Sequence, residues 1–328
     1  MLSFIKRNKT TLISVYFTVS VIAILLVLLL PWWPHYQLLI IPKYLLLFAP
    51  RWWVIILLLG LLFLWKNLSK FQKLLLPILT IVSMSYLDFQ FNFLKLGDKA
   101  NSNLSILSLN MGGGSKANKI EAIIFENEPD ILLLQEAAKV NLAKLVPNEY
   151  QTQCISGLCI ASKLNFEVVH TLPRKLFGGW GDFAIFYKVF YKGKELYIAN
   201  IHLETPRTVL MNTIYRDFDV KVATSIDDKR YLQAKLITLW LETKTHSLIV
   251  GDFNMPIDEN IYQEKFSYFG NAISDYGVGF NSTKKTRWHG VRIDHILYDT
   301  KFSVHSAEVL NSLGGDHLPL IARLNIKE

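Results

Sequence analysis

The chemistry-bearing residues of this chain gather where its apolar runs stop. The run 247–250 closes on Gly251-Asp252-Phe253-Asn254, which places a carboxylate and a carboxamide two residues apart at the end of a buried strand. Such a pair can hold a hard cation and a water beside a phosphate. Alone, Asp-x-Asn is more often a turn, because both residues tolerate tight loops. The pattern recurs, however. Residues 104–109 end at Asn110, ahead of Gly112-Gly113-Gly114, and residues 131–134 end at Gln135-Glu136. Residues 197–201 end at His202, Arg292-Ile293 leads into Asp294-His295, and Gly314-Gly315 precedes Asp316-His317. Each has a plain structural reading as a cap, a turn or a satisfied core histidine. Six in one domain point to a ligand, since α/β sandwiches gather ligands at strand termini.

The elements that must position these residues follow from periodicity. Strands are expected at 104–109, 130–134, 157–162, 166–170, 183–189, 195–201, 247–250, 293–298, 302–310 and 320–325. A helix over 115–128 carries Ile120, Ile123 and Ile124 at helical spacing, and a longer one over 228–243 puts Leu232, Leu236, Leu239 and Trp240 on one stripe. Arg230 and Gln233 are expected either to pin that helix to the neighbouring strand or, equally, to form a solvated face. His295 points away from Asp294 by strand alternation and reads as structural. Many strands with a few interspersed helices imply an α/β or α+β sandwich in one domain, residues 104–328, after a polar linker at 96–103.

Residues 1–95 differ in kind. Residues 11–30 carry no charge, enough to cross a hydrocarbon core, and end at the interfacial cluster Pro31-Trp32-Trp33-Pro34 rather than a small-residue cleavage site. Three membrane spans are expected, at about 11–31, 44–65 (with Arg51 snorkelling near one end) and 74–93 (interrupted by Asp88). Lys6, Arg7 and Lys9 precede the first span, and Lys66, Lys70 and Lys73 separate the second from the third. That asymmetry puts the N-terminus inside and the later domain outside the cytoplasm. Nine of the chain's 35 Lys/Arg and one of its 27 Asp/Glu fall within 1–95, leaving 26 of each for the remainder, so the net +8 is a topology signal and not a polyanion-binding one. The two cysteines, Cys154 and Cys159, are spaced to close across a tight hairpin in an oxidising compartment. Two buried free thiols are the alternative.

Taken in order, Asn110, Gln135-Glu136, Asn200-Ile201-His202-Leu203, Gly251-Asp252-Phe253-Asn254, Arg292-Ile293-Asp294-His295 and Gly315-Asp316-His317-Leu318-Pro319 resemble the endonuclease/exonuclease/phosphatase superfamily, over about residues 104–326. The resemblance implies a four-layer sandwich of two mixed β-sheets flanked by helices, and metal-dependent phosphoester hydrolysis with Mg²⁺, or Mn²⁺ in its place. It implies Glu136 as principal metal ligand with Asn110 and Asp316 beside it, Asp252 and Asn254 orienting the attacking water and the phosphate, and His317 contacting the phosphate while held by Asp294. His202 would be a second phosphate contact or an acid near the leaving group. No organic cofactor is implied, and oligomeric state is left open. The chain departs from the pattern in two places: residues 177–182 lack the arginine that several relatives place before the His202 strand, and His202 has no evident carboxylate partner.

These expectations amount to a membrane-anchored phosphodiesterase or nuclease-type hydrolase with its catalytic domain outside the cytoplasm. The loop Lys284-Lys285-Thr286-Arg287-Trp288-His289 is the one candidate for nucleic-acid contact. Arg207 is a further candidate for a substrate phosphate. A phospholipid or sphingomyelin head-group hydrolase is the alternative, with the apolar, glycine-containing segments 176–180 and 276–280 dipping into a bilayer. A non-catalytic scaffold is a third reading, but it would not need Glu136, Asp252, Asp294 and His317 all intact.

Overall fold

The computed structural model describes residues 2–95, 102–112 and 115–327. The chain opens with helices α1 (Leu2–Leu28), α2 (Gln37–Phe48), α3 (Trp53–Phe63) and α4 (Lys70–Tyr86), followed by a short strand β1 (Phe89–Phe91). Then come β2 (Leu104–Asn110), α5 (Ile120–Asn127), β3 (Ile131–Gln135), β4 (Gln151–Ile155), β5 (Leu158–Ser162), β6 (Phe166–Pro173), β7 (Asp182–Tyr191) and β8 (Lys194–His202). Helices α6 (Arg207–Ile214) and α7 (Val220–Leu241) lead to β9 (Ser247–Asp252), α8 (Asn260–Lys265), β10 (Gly270–Asn271), α9 (Ala272–Tyr276) and β11 (Val278–Phe280). The chain closes with β12 (Lys284–Lys285), β13 (Gly290–Val291), β14 (Asp294–Tyr298), β15 (Phe302–Val309) and β16 (Leu320–Ile326).

Two mixed six-stranded sheets form the body, in the orders β15-β16-β2-β3-β5-β4 and β10-β14-β9-β8-β7-β6. The pairs β2–β3 and β8–β9 are parallel and their other neighbours antiparallel. The uninterrupted apolar runs that read as strands are buried on both faces, as parallel central strands must be. Leu104, Ile106, Ile131 and Leu133 pack between the sheets against Ile185, Tyr187, Ile198 and Val250. The outer face of the first sheet is covered by Ile120, Ile123 and Ile124 of α5, and that of the second by Ala234, Ile237 and Leu241 of α7. This is the expected four-layer sandwich.

Helix α7 departs from its expectation in start and in face. Asp219 caps it by accepting from the amides of Lys221 and Val222, so it begins eight residues earlier than the apolar pattern suggested. Leu232 and Leu239 of the expected stripe point to solvent, whereas Arg230, Gln233, Ala234, Ile237 and Leu241 face inward. The buried face carries polar side chains because they have partners there, described below. Cys154 and Cys159 lie opposite one another in the β4–β5 hairpin and are joined as a disulfide.

The N-terminal helices are not simply tethered. The Thr10–Leu28 portion of α1 is long and apolar enough to cross a membrane, and α2 and α3 together pass the same test but meet at a 73° bend. Helices α1, α3 and α4 pack on one another, while α2 lies against α6 and α7 of the sandwich. Arg51 does not snorkel: it is buried, donating to the carbonyls of Leu47 and Tyr86 and pairing with Asp258 at 2.8 Å. Asp88, which interrupts the third apolar stretch, accepts from Arg292 at 2.6 and 2.7 Å just after α4 ends, and β1 then pairs with β11, further along the chain.

Candidate active site

The site forms where the C-terminal ends of β2, β3, β8 and β9 meet the start of β14. Beneath it, Gln135 Nε2 donates to Asn200 Oδ1 at 2.8 Å, and Asn200 Nδ2 donates to the carbonyls of Leu134 and Cys159. This buried amide pair ties one sheet to the other and fixes the relative height of their ends. His202 and Asp252 are register partners across β8–β9, as are Asp252 and Asp294 across β9–β14, so backbone pairing alone brings the three together. Gly251 has φ 135°, and a Cβ there would stand 2.2 Å from the Ile201 carbonyl, so only glycine allows β9 to approach β8 this closely.

The side chains then converge. Asn110 Nδ2 donates to Glu136 Oε1 at 3.0 Å and to Asp252 Oδ2 at 2.9 Å, while its Oδ1 accepts from the Gly112 amide. Asp252 Oδ1 accepts from the Asn254 amide at 2.8 Å, and Asn254 Nδ2 donates to the Leu203 carbonyl, holding a left-handed residue with φ 50° in place. His317 Nδ1 faces both oxygens of Asp294, at 3.1 and 3.0 Å, and its Nε2 lies 3.7 Å from Asp252 Oδ2. His202 Nε2 stands 3.6 Å from Glu136 Oε1 and 3.7 Å from Asp252 Oδ2. The expected absence of a carboxylate beside His202 is thereby corrected: its neighbours arrive from β3 and β9, at separations in sequence that no local pattern reveals.

Electrostatics divides the roles. Burial, then the neighbouring charge of Asp294, pushes the Asp252 carboxyl up from its ordinary range against the opposing pull of His317, His202 and the Asn110 amide. Burial would also raise Asp294, but the His317 ring and the Thr283 hydroxyl hold it down. For His317 burial acts to lower the pKa, and the attraction and hydrogen bond of Asp294, with Asp252 behind, outweigh it and lift the ring to about 9. His202 is lowered by burial, with Arg174 adding to the effect and Asp252 opposing it. One histidine is thus held cationic at neutral pH and the other neutral.

The donor set fits a hard divalent cation. Glu136, His202 and Asp252 offer ligand atoms within 4.8 Å of one another; Asp252, Asp294 and His317 lie as close, but a protonated His317 has no lone pair to give, which leaves the first group as the candidate. Glu136 is half exposed at the mouth, and a Cβ on Gly112 would fill the space against its Oε2 at 2.3 Å. Asp316 stands outside both groups. Its Oδ2 holds Lys284 Nζ at 2.5 Å, and its Oδ1 is buried without a hydrogen-bond partner among the described residues.

Two residues of the site were not anticipated. Arg174, in the turn before β7, donates to the His202 carbonyl and lies 3.8 Å from Glu204. It lies three positions upstream of residues 177–182, the window in which an arginine was expected. Lys284 had been grouped with a nucleic-acid loop, but it pairs with Asp316 and bridges to His317, a contact visible only once β12 is laid beside residues 316–317. Arg207 is exposed at the start of α6. As expected, Gln233 accepts from the Glu204 amide at 2.7 Å. Arg230 donates to the carbonyls of Glu204 and Asn254, and His295 is a buried structural residue between Asn271 and the Met255 carbonyl.

The profile of the endonuclease/exonuclease/phosphatase family matches residues 107–317, the span that contains every residue of this cluster. The chain belongs to that family and is a hydrolase of phosphoester bonds. Among solved structures, a variant of the 3' phosphatase NExo from Neisseria, bound to a product DNA hairpin, is similar over 68% of this chain and 100% of that one, with TM-score 0.54 and 16% identity. An endonuclease/exonuclease/phosphatase from Beutenbergia cavernae is similar over 69% and 72%, with TM-score 0.51 and 14% identity. One from Bacteroides vulgatus is similar over 68% and 99%, with TM-score 0.50 and 17% identity. At these identities the likeness speaks to the fold. No curated protein matches the chain in sequence.

Proposed function

We propose that this chain is a membrane-anchored phosphodiesterase of nuclease type whose catalytic domain lies outside the cytoplasm and which uses Mg²⁺, with Mn²⁺ able to replace it. The convergence of Glu136, Asp252, Asn254, His202 and the Asp294–His317 pair at one end of the sandwich carries this reading. Glu136 would hold the cation, with Asn110 fixing the carboxylate and Asp252 beside it, whereas Asp316, expected as a further ligand, is taken up by Lys284 outside that group; when bound, the cation would neutralise charge on a phosphoryl oxygen. Asp252 accepts a proton from the attacking water, and its raised pKa makes it a better base than an ordinary carboxylate. Asn254 fixes that water and the phosphate. His317, kept cationic by Asp294, offsets the charge that builds on the phosphoryl oxygens as water adds and the ester oxygen leaves. His202 is lowered rather than raised and so acts as a neutral phosphate contact, with Arg174 behind it.

The membrane part rests on α1 and on charge placement. Tyr86, at the end of α4, touches Arg51 and Trp53 near the start of α3, so these ends of the bundle meet at the catalytic domain. Lys66, Lys70 and Lys73 lie at the opposite ends of α3 and α4. Three spans built on α1, α3 and α4, shorter than the expected 44–65 and 74–93 because residues 44–51 and 88–91 contact the sandwich, would with the N-terminus inside put the disulfide-bearing domain in an oxidising compartment.

A second reading, phospholipid or sphingomyelin head-group hydrolysis, is favoured by one observation. The loop between Lys284 and His289 runs from the site to the α2–α3 bend, where Trp52 Nε1 donates to the carbonyl of the exposed Trp288 and His289 Nε2 meets the Phe48 carbonyl. Purified full-length protein assayed on bis(p-nitrophenyl) phosphate, plasmid DNA, RNA and sphingomyelin vesicles, with Mg²⁺ and with chelator, separates the two. Turnover that is indifferent to chelation would sink the cation-dependent mechanism, and cleavage of vesicle lipid but not DNA or RNA would replace the first reading by the second.

A further inference from the structure

We infer that Tyr44, on the N-terminal helix α2, is a positioning residue for the catalytic turn 252–254 and acts through Arg230. The connection is continuous and dry. Tyr44 is fully buried, its hydroxyl donates to Asp227 Oδ1 at 2.7 Å, and its ring lies under the Arg230 guanidinium, 5.4 Å from centroid to Cζ. Lys43 Nζ donates to the same Asp227 oxygen at 2.5 Å and to Asn260 Oδ1 at 3.2 Å. Arg230, also fully buried, is gripped by both oxygens of Glu259 at 2.8 and 2.7 Å, and its Nη1 donates to the carbonyls of Glu204 and Asn254 at 2.8 and 2.9 Å. Asn254 in turn donates its amide to the Asp252 carboxylate.

Each link is directional. The guanidinium plane is set on one side by Glu259, held through Nη2, and on one face by the Tyr44 ring, which directs Nη1 to the backbone of the turn and of the Leu203–Glu204 segment beside it, while Nε is buried without a hydrogen-bond partner among the described residues. Asn254 is left-handed at φ 50°, a conformation that asparagine tolerates and that its bonds to Leu203, Asp252 and Arg230 hold here. Removing the ring opens a void against the guanidinium and lets it tilt, and the carbonyl of Asn254 loses its fixed donor. A group carrying the attacking water shifts by a fraction of an ångström, which suffices to cost turnover without loosening substrate. A second docking pair, Arg51–Asp258, meets the chain one residue before Glu259 without touching the guanidinium and serves as the comparison.

The test compares full-length Tyr44→Leu, Tyr44→Phe and Arg51→Met. Hydrogen exchange of peptides covering 251–256 should rise in Tyr44→Leu, stay near wild type in Tyr44→Phe, which keeps the ring, and stay near wild type in Arg51→Met. On bis(p-nitrophenyl) phosphate with Mg²⁺, kcat of Tyr44→Leu should fall about 10-fold to 100-fold with KM unchanged, while the other two retain it. Unchanged exchange in Tyr44→Leu, or an equal rise in Arg51→Met, overturns the inference. The kinetic arm rests on the hydrolase reading and the exchange arm does not: a wild-type protein that never turns over the probe would remove that reading and leave the exchange result to decide this one.

Discussion

Buried charge is used in opposite ways in two parts of this molecule. Where the N-terminal helices meet the sandwich, each charge has an opposite partner: Lys43 with Asp227 at 2.5 Å, Arg51 with Asp258 at 2.8 Å, Asp88 with Arg292 at 2.6 Å. In the cleft, Asp252 and Asp294 are both buried across one strand pair and share a single cationic ring, with Glu136 at the mouth. The junction is balanced, so its charges fix geometry. The cleft is over-supplied with carboxylate, and that excess is what a divalent cation and a proton from water would relieve. The pKa directions express the same contrast, since Asp227 is held down, burial being overcome by His35, Lys43 and Tyr44, while Asp252 is pushed up.

The contrast can be broken most sharply at the cleft. Chelation should abolish hydrolysis, and restoring Mg²⁺ should bring back both activity and a higher unfolding midpoint; saturation at about 100 times Kd stabilises by about 2.7 kcal/mol. No change in midpoint on adding the ion would remove the idea of an unrelieved carboxylate cluster. Next, His317→Ala should lower kcat by about 10³-fold, the scale of one preorganised charge-stabilising group. Wild-type turnover in that variant would discard the role given to the Asp294–His317 pair.

Stability should then separate the two regions by sign. Asp227 has a depressed carboxyl, so it stabilises the fold above its unfolded pKa and loses that contribution as pH falls; Asp227→Asn leaves Lys43 buried without a counter-charge, at a cost of about 3 to 5 kcal/mol. Asp252 is raised, so its ionised form weakens the fold at neutral pH, and Asp252→Asn measured in chelator should lift the melting midpoint while kcat collapses. Melting curves that move in the same direction for both would erase the distinction. The smallest effect belongs to His35, whose pKa is raised by its hydrogen bond to Asp227. Its contribution is complete below the unfolded value of 6.5 and fades as pH climbs through the higher folded one. His35→Gln should therefore flatten a modest decline in stability over that interval, followed by thermal melting at stepped pH.

What the amino-acid order made legible was the part of the fold written locally. The apolar runs that became β2, β3, β8 and β9 and the polar residues ending them were readable because burial and strand termini leave adjacent marks. The face of α7 was not, since its inward residues include Arg230 and Gln233, whose partners lie about thirty residues away in the chain. Arg51 and Asp88 read as charges tolerated in a membrane stretch, yet they are paired with residues more than two hundred positions downstream. Arg174 and Lys284 were missed for the same reason: their place beside His202 and Asp316 is set by tertiary pairing, which leaves no trace in spacing.

The pairing of β1 with β11, together with the grip of Arg292 on Asp88, means that the catalytic domain does not swing freely on the N-terminal helices. It works as a gauge of fixed height. The Lys285 amide is bonded to the Asp316 carbonyl, and Trp288, against the α2–α3 bend, is three residues further on, a reach of at most about 10 Å. On the proposed topology the cleft would stand at a constant height above the bilayer, so a substrate's distance from the membrane would enter its selection alongside the shape of the pocket.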